Sequence, residues 1–152
     1  MRVLFCGSAA SPQSAALSAY YAGPGNRFWE IIYQTGIVPI LIEPFNYARV
    51  KDYDVGLTDL AKYATGIDAT LKTTDYDVGL LFQKVVDFTP SWLAFNGKRS
   101  AQQFLMHKVN YGRQEEKIGE SKIFVLPSTS GSACRFWDES YWYELAELLL
   151  DI

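Results

Sequence analysis

Three short stretches of the chain carry side chains suited to chemistry. In Gly56-Leu57-Thr58-Asp59-Leu60 an aspartate directly follows a short apolar run. A carboxylate at the carboxyl edge of a sheet can be partly buried, which tunes its proton affinity, and it can orient or deprotonate a water. In Tyr20-Tyr21-Ala22-Gly23-Pro24-Gly25-Asn26 a Gly-Pro-Gly turn leads into a helix start. Such a turn lets backbone approach a ligand closely and presents free N–H groups. The two tyrosines beside it offer a flat surface on which a base can stack. In Ser128-Thr129-Ser130-Gly131-Ser132-Ala133-Cys134-Arg135 small hydroxyl residues and an arginine follow a strand and a proline, a composition that grips phosphate oxygens. Each stretch alone also has an ordinary reading: an aspartate that caps a turn, a tight turn with aromatics beneath it, a solvated loop.

Other chemistries fall away. His107 is the single histidine and sits in a polar Met-His-Lys stretch, so it is expected on the solvated surface and leaves no His-rich metal site. Cys6 and Cys134 are the only cysteines. They make neither a disulfide framework nor a metal-ligand spacing, and both are expected as small buried filler. The sequence has no Gly-x-Ser-x-Gly elbow, Walker A loop or dinucleotide fingerprint. No metal or cofactor is expected.

The elements that must position these residues alternate. Arg2 to Cys6 reads as a strand buried on both faces, as in a parallel sheet. Residues 7–25 read as a long loop, and Asn26 as the N-cap of a helix from Arg27 to Gln34 closed by Gly36. Further strands are predicted at Val55 to Leu57, Trp92 to Phe95 and Lys122 to Leu126. Further helices are predicted at Val78 to Phe88, Gly97 to Leu105 and Tyr141 to Leu150. This alternation predicts an α/β fold with a mainly parallel sheet covered on both faces. Ligands of such sheets bind beyond the carboxyl ends of the strands, which selects residues 7–25, 58–66, 96–98 and 127–135.

A length of 152 residues, 49% hydrophobic and 20% charged, fits one globular domain over 1–152 with a sizeable core. The first apolar run is too short for a leader or a membrane span, so a cytoplasmic protein with no membrane partner is expected. The net charge of −3 argues against holding nucleic acid by bulk charge. That charge is unevenly spread. Residues 136–152 hold five acids and no Lys or Arg, whereas residues 90–135 hold seven bases and three acids. The acidic last helix is expected to lie away from any nucleic acid.

Taken in order, the blocks at the strand ends form a pattern. They are Val3-Leu4-Phe5-Cys6-Gly7, Ala22-Gly23-Pro24-Gly25-Asn26-Arg27-Phe28-Trp29, Gly56-Leu57-Thr58-Asp59-Leu60, Leu93-Ala94-Phe95-Asn96-Gly97-Lys98, Tyr111-Gly112-Arg113-Gln114 and Val125-Leu126-Pro127-Ser128-Thr129-Ser130. On these blocks the chain resembles the mismatch-specific uracil-DNA and thymine-DNA glycosylase family. The resemblance implies a three-layer α/β/α sandwich with a short, mainly parallel central sheet. It implies a monofunctional enzyme of base-excision repair that flips a nucleotide and hydrolyses its N-glycosidic bond, leaving an abasic site. The implied partner is double-stranded DNA with a mismatched or damaged base, with single-stranded DNA as a further candidate, and the protein is expected to act as a monomer. By the same resemblance the base pocket comprises Gly7, Ser8, Ala9, Tyr21, Asn26, Thr65 and Ser128, with Tyr21 stacking on the base. The implied DNA-binding residues are Ser128, Thr129, Ser130, Gly131, Ser132, Arg135 and Lys98.

One departure matters. Where the family has an asparagine that positions the attacking water, this chain has Ala9. Asp59 is the expected catalytic replacement, since a carboxylate stabilises the oxocarbenium character of the sugar and can activate water. Ser8 and Ser11 are further candidates to hold water, and Asn96 is polar at a strand end without being marked by the resemblance. Two other readings follow from the same residues: a non-catalytic sensor of damaged bases or abasic sites, and an enzyme of free nucleosides or nucleotides.

Overall fold

The computed structural model describes residues 1–9, 14–15, 19–61 and 76–152. Its centre is set by the strands with the least polar sequences. β1 (Val3–Gly7) and β3 (Trp92–Asn96) are buried at every residue. A strand with no polar face must be covered on both sides, and these two lie inside a five-stranded sheet. Its order is β2-β1-β3-β5-β4, with β2 (Val55–Asp59), β4 (Gly112–Ile118) and β5 (Ser121–Leu126). The pairs β1–β2, β1–β3 and β3–β5 are parallel, and β4 pairs with β5 antiparallel.

Alternate residues point to opposite faces, so the strands feed two cores. On one face Val3, Phe5, Trp92, Ala94, Phe124 and Leu126 meet α1 (Phe28–Gln34) and α4 (Ser140–Leu150). On the other, Leu4, Cys6, Leu93, Phe95, Ile123 and Val125 meet α2 (Val78–Phe88) and α3 (Lys98–Leu105). The result is the expected three-layer α/β/α architecture. The first core also accounts for much of the high aromatic content. Phe5 stacks on Trp142 at 5.7 Å between centroids and meets Phe28 edge-on at 5.1 Å, and Phe28 stacks on Trp29. Phe28, Trp29, Trp92 and Phe95 are all buried.

Four details differ from the sequence reading. β4 was not expected, because Arg-Gln-Glu-Glu-Lys has no apolar alternation. It is an exposed edge strand, where charge blocks further pairing. β2 extends through Asp59, so the aspartate is the last residue of the strand, paired in register with Gly7, and does not follow it. The segment after Pro127 contains a 3-10 turn at Gly131–Phe136. Cys134 is exposed, not buried filler, whereas Cys6 is buried.

Candidate active site

The parallel register lines up the carboxyl ends of the inner strands. Gly7 pairs with Asp59, Cys6 with Phe95, and Asn96 with Leu126. The strand order also reverses here: β2 flanks β1 on one side and β3 on the other. Such a switch point opens a crevice at the carboxyl edge. Gly7, Asp59 and Asn96 are the terminal residues of their strands, and each shares its side of the sheet with the aromatic core.

The loops that follow are tied to one another. The N–H groups of Leu60 and Ala61 donate to the carbonyls of Gly7 (2.8 Å) and Ser8 (2.6 Å). Asn96 and Thr129 hold each other at two points: Asn96 Nδ2 donates to Thr129 Oγ1 (2.9 Å), and the Thr129 N–H donates to Asn96 Oδ1 (3.0 Å). The Thr129 carbonyl in turn accepts from the Arg27 N–H at 3.0 Å. Gly131 lies so near the Gly-Pro-Gly turn that a Cβ there would stand 3.1 Å from the Pro24 carbonyl oxygen. Gly97, at φ +114, turns the chain from β3 into α3, and a Cβ there would stand 3.4 Å from Ser128 Cβ. Glycine is the residue that takes both this conformation and this approach.

Around Gly7 the site is tightest. A Cβ on Gly7 would lie 3.1 Å from Asp59 Oδ1 and 3.4 Å from the Tyr21 hydroxyl. The missing side chain thus lets a carboxylate and a phenol face the same side of the strand end. The Tyr21 ring meets Phe28 edge-on, 4.1 Å between centroids. Its hydroxyl is buried and, among the described residues, makes no hydrogen bond of good geometry. Burial and the Asp59 charge hold its pKa well above 10.0, with the nearby Asn96 amide working in the opposite direction, so Tyr21 keeps its proton at neutral pH.

The expected site residues divide accordingly. Gly7, Asp59 and Tyr21 come together, with Ser8 and Ala9 half-buried just beyond the strand. Asn26 is used locally: its Oδ1 accepts from the Phe28 N–H at 3.0 Å in the turn before α1, and the N-cap of the helix is Arg27, one residue later than expected. Ser128 and Ser130 are half-exposed and Ser132 exposed. Ser128 Oγ accepts from the Ser130 N–H, and Ser130 Oγ contacts Ser132 Oγ. Thr129 differs from its neighbours: it is 1% exposed, and its polar groups tie the loop to β3 instead of offering a hydroxyl to DNA. Lys98 lies over the Tyr111 ring at 4.3 Å, and exposed Arg135 lies 5.3 Å from the Phe136 ring, itself exposed. Thr65 and Ser11 lie outside the described residues. His107 is exposed beyond the far end of α3, where Glu116 at 2.7 Å raises its pKa. Two of the five late acids, Asp138 and Glu139, precede α4 and follow the rim turn in sequence. The acidity is therefore not confined to the last helix. Among the described residues no group of three or more His, Cys, Asp or Glu side chains could hold a metal ion.

The Asn96–Thr129 clasp and the Tyr21 hydroxyl were the parts sequence reading missed. The clasp joins residues 33 apart, and no local pattern marks it. The strand-end row, the switch point and the order of the loops agree with the match of a family model, that of the uracil DNA glycosylase superfamily, to residues 1–146. That match spans nearly the whole chain, and on it the chain belongs to the uracil DNA glycosylase superfamily.

Proposed function

We propose that this protein is a monofunctional DNA glycosylase of the mismatch-specific uracil-DNA and thymine-DNA branch. It excises a flipped uracil, or a mispaired or modified pyrimidine, and leaves an abasic site. The observation that carries this reading is Asp59. It closes β2 in register with Gly7, and its Oδ1 faces the Gly7 α-carbon beside Tyr21. Ala9 offers no polar side chain to hold a water, so the carboxylate takes that part. The water oxygen bonds to C1′ as the C1′–N bond breaks, and the bonding pair leaves with the base. The water proton passes to Asp59, and the base takes a proton from solvent. The same negative charge stabilises the oxocarbenium character that builds on the sugar.

The half-exposed and exposed serines at 128, 130 and 132, with Arg135 and Lys98, face the DNA backbone in this reading, while Thr129 supports them from within. The test is release of uracil from G:U, A:U and single-stranded oligonucleotides. A general base contributes about 10²–10⁴-fold. Asp59→Asn is therefore expected to lose activity on that scale, and full activity in the variant overturns the assignment. Ala9 favours one second reading, a sensor of damaged bases or abasic sites. Tight, lesion-dependent binding with no base release by the wild type would select it.

A further inference from the structure

Tyr21 combines three properties that packing alone does not explain. Its backbone is left-handed, at φ +54, a strained region that bulky residues seldom occupy. The other described non-glycine residues at positive φ are Asp54, Thr89 and Met106, and each is the C-cap of a helical segment. That is an ordinary use of the conformation, and Tyr21 has no such excuse. Its hydroxyl is buried and, among the described residues, makes no hydrogen bond of good geometry, which is costly for a group taken out of water. A phenylalanine would make the same contact with Phe28 and avoid that cost. Finally, the hydroxyl is not merely buried somewhere. It stands with Asp59 Oδ1 on the glycine side of β1, the two oxygens 3.4 and 3.1 Å from the point where a Gly7 Cβ would lie.

We propose that the Tyr21 hydroxyl is the second holder of the attacking water, opposite Asp59, and supplies the polar contact that Ala9 cannot. This rests on the reading of Asp59 given above. Each oxygen lies within 3.4 Å of that one point beside Gly7, and one water beside it would contact both. A water so held is fixed at two points before it meets C1′. Asp59 accepts one of its protons as the C–O bond forms, and the phenol keeps its own proton throughout. Tyr21 is then a positioning residue as well as a stacking surface, and its strain and its unpaired hydroxyl belong to the function.

The test is Tyr21→Phe, which keeps the ring and deletes the oxygen. Single-turnover uracil release is expected to fall about 10–100-fold, the range of a misplaced reactant, with binding to DNA carrying a non-hydrolysable 2′-fluorouridine unchanged. Thermal stability is expected to stay the same or rise, because an unpaired buried group has been removed. Adding Ala9→Asn to Tyr21→Phe is expected to recover rate by more than Ala9→Asn adds to the wild type, a coupling that a purely structural tyrosine would not give. Full activity in Tyr21→Phe with loss in Asp59→Asn overturns the shared water alone. Loss in Tyr21→Phe with full activity in Asp59→Asn overturns the Asp59 reading and this pairing with it. A marked fall in the stability of Tyr21→Phe overturns the proposal as well, since it assigns the hydroxyl a structural bond.

Discussion

The two ends of the same sheet treat their polar groups in opposite ways. At the amino end they are used up. Arg2 donates to the Tyr53 and Ile37 carbonyls, the Ser121 hydroxyl donates to the Pro90 carbonyl at 2.5 Å, and the Trp92 N–H donates to Arg2. A groove of about 710 Å³ lies there too, lined by residues such as Trp92, Arg113, Glu120, Lys122 and Asp151. At the carboxyl end a carboxylate and an unpaired hydroxyl crowd around a glycine, and the loops are held by one buried clasp. A buried hydroxyl with no partner among the described residues and a backbone held in a costly conformation occur together at the carboxyl end. That is the pattern expected where stability is given up for function.

Three measurements can break or sharpen this contrast. The largest effect is expected from Gly7→Ala. Its new Cβ would press on Asp59 Oδ1 at 3.1 Å, and displacement of the carboxylate should lower the rate of base release by about 10–100-fold. The melting temperature should move by no more than a few degrees. A variant with wild-type rate would mean that the space beside Gly7 is not used.

Next comes a pair of stability measurements at the two ends. Asn96→Ala removes both bonds to Thr129 and should cost about 2–3 kcal/mol in denaturant unfolding, together with a loss of DNA binding as the serine loop is released. Ser121→Ala removes the bond to Pro90 and should cost about 1 kcal/mol, with activity unchanged. If Ser121→Ala impairs activity as much as Asn96→Ala does, the two ends are not functionally distinct.

The smallest effect is spectroscopic. Tyr21 has its pKa raised, so the folded state holds the phenolic proton more tightly than the unfolded chain does. The stability this lends is fully present below the ordinary tyrosine value of 10.0 and is lost as pH rises through the higher folded value. The alkaline difference absorbance of the wild type minus that of Tyr21→Phe should isolate one phenol that ionises well above 10.0. Ionisation of that phenol at or below 10.0 would contradict its burial beside Asp59.

Much of this architecture is readable in the chain itself. Apolar runs at residues 3–6, 92–95 and 123–126 must be buried, because exposed apolar strands are unfavourable, and their alternation with helical spacing specifies a layered parallel sheet. The blocks at the strand ends then point to the superfamily. What could not be read is of two kinds. β4 carries no apolar signal, since its stability comes from hydrogen bonding to β5 and not from burial of its own side chains. The roles of Asp59, Tyr21 and Thr129 depend on register and on contacts between distant segments. Asp59 faces the crevice because β2 pairs with β1 in one register, and a slip by one residue would turn it to the other face. Thr129 is buried between two exposed-looking serines because Asn96, 33 residues away, accepts and donates to it. The sequence by itself determined which segments form the sheet and where a site must lie. Only the tertiary structure decided which polar groups meet there, because hydrogen bonds and side-chain direction are set by neighbours in space, not by neighbours in the chain.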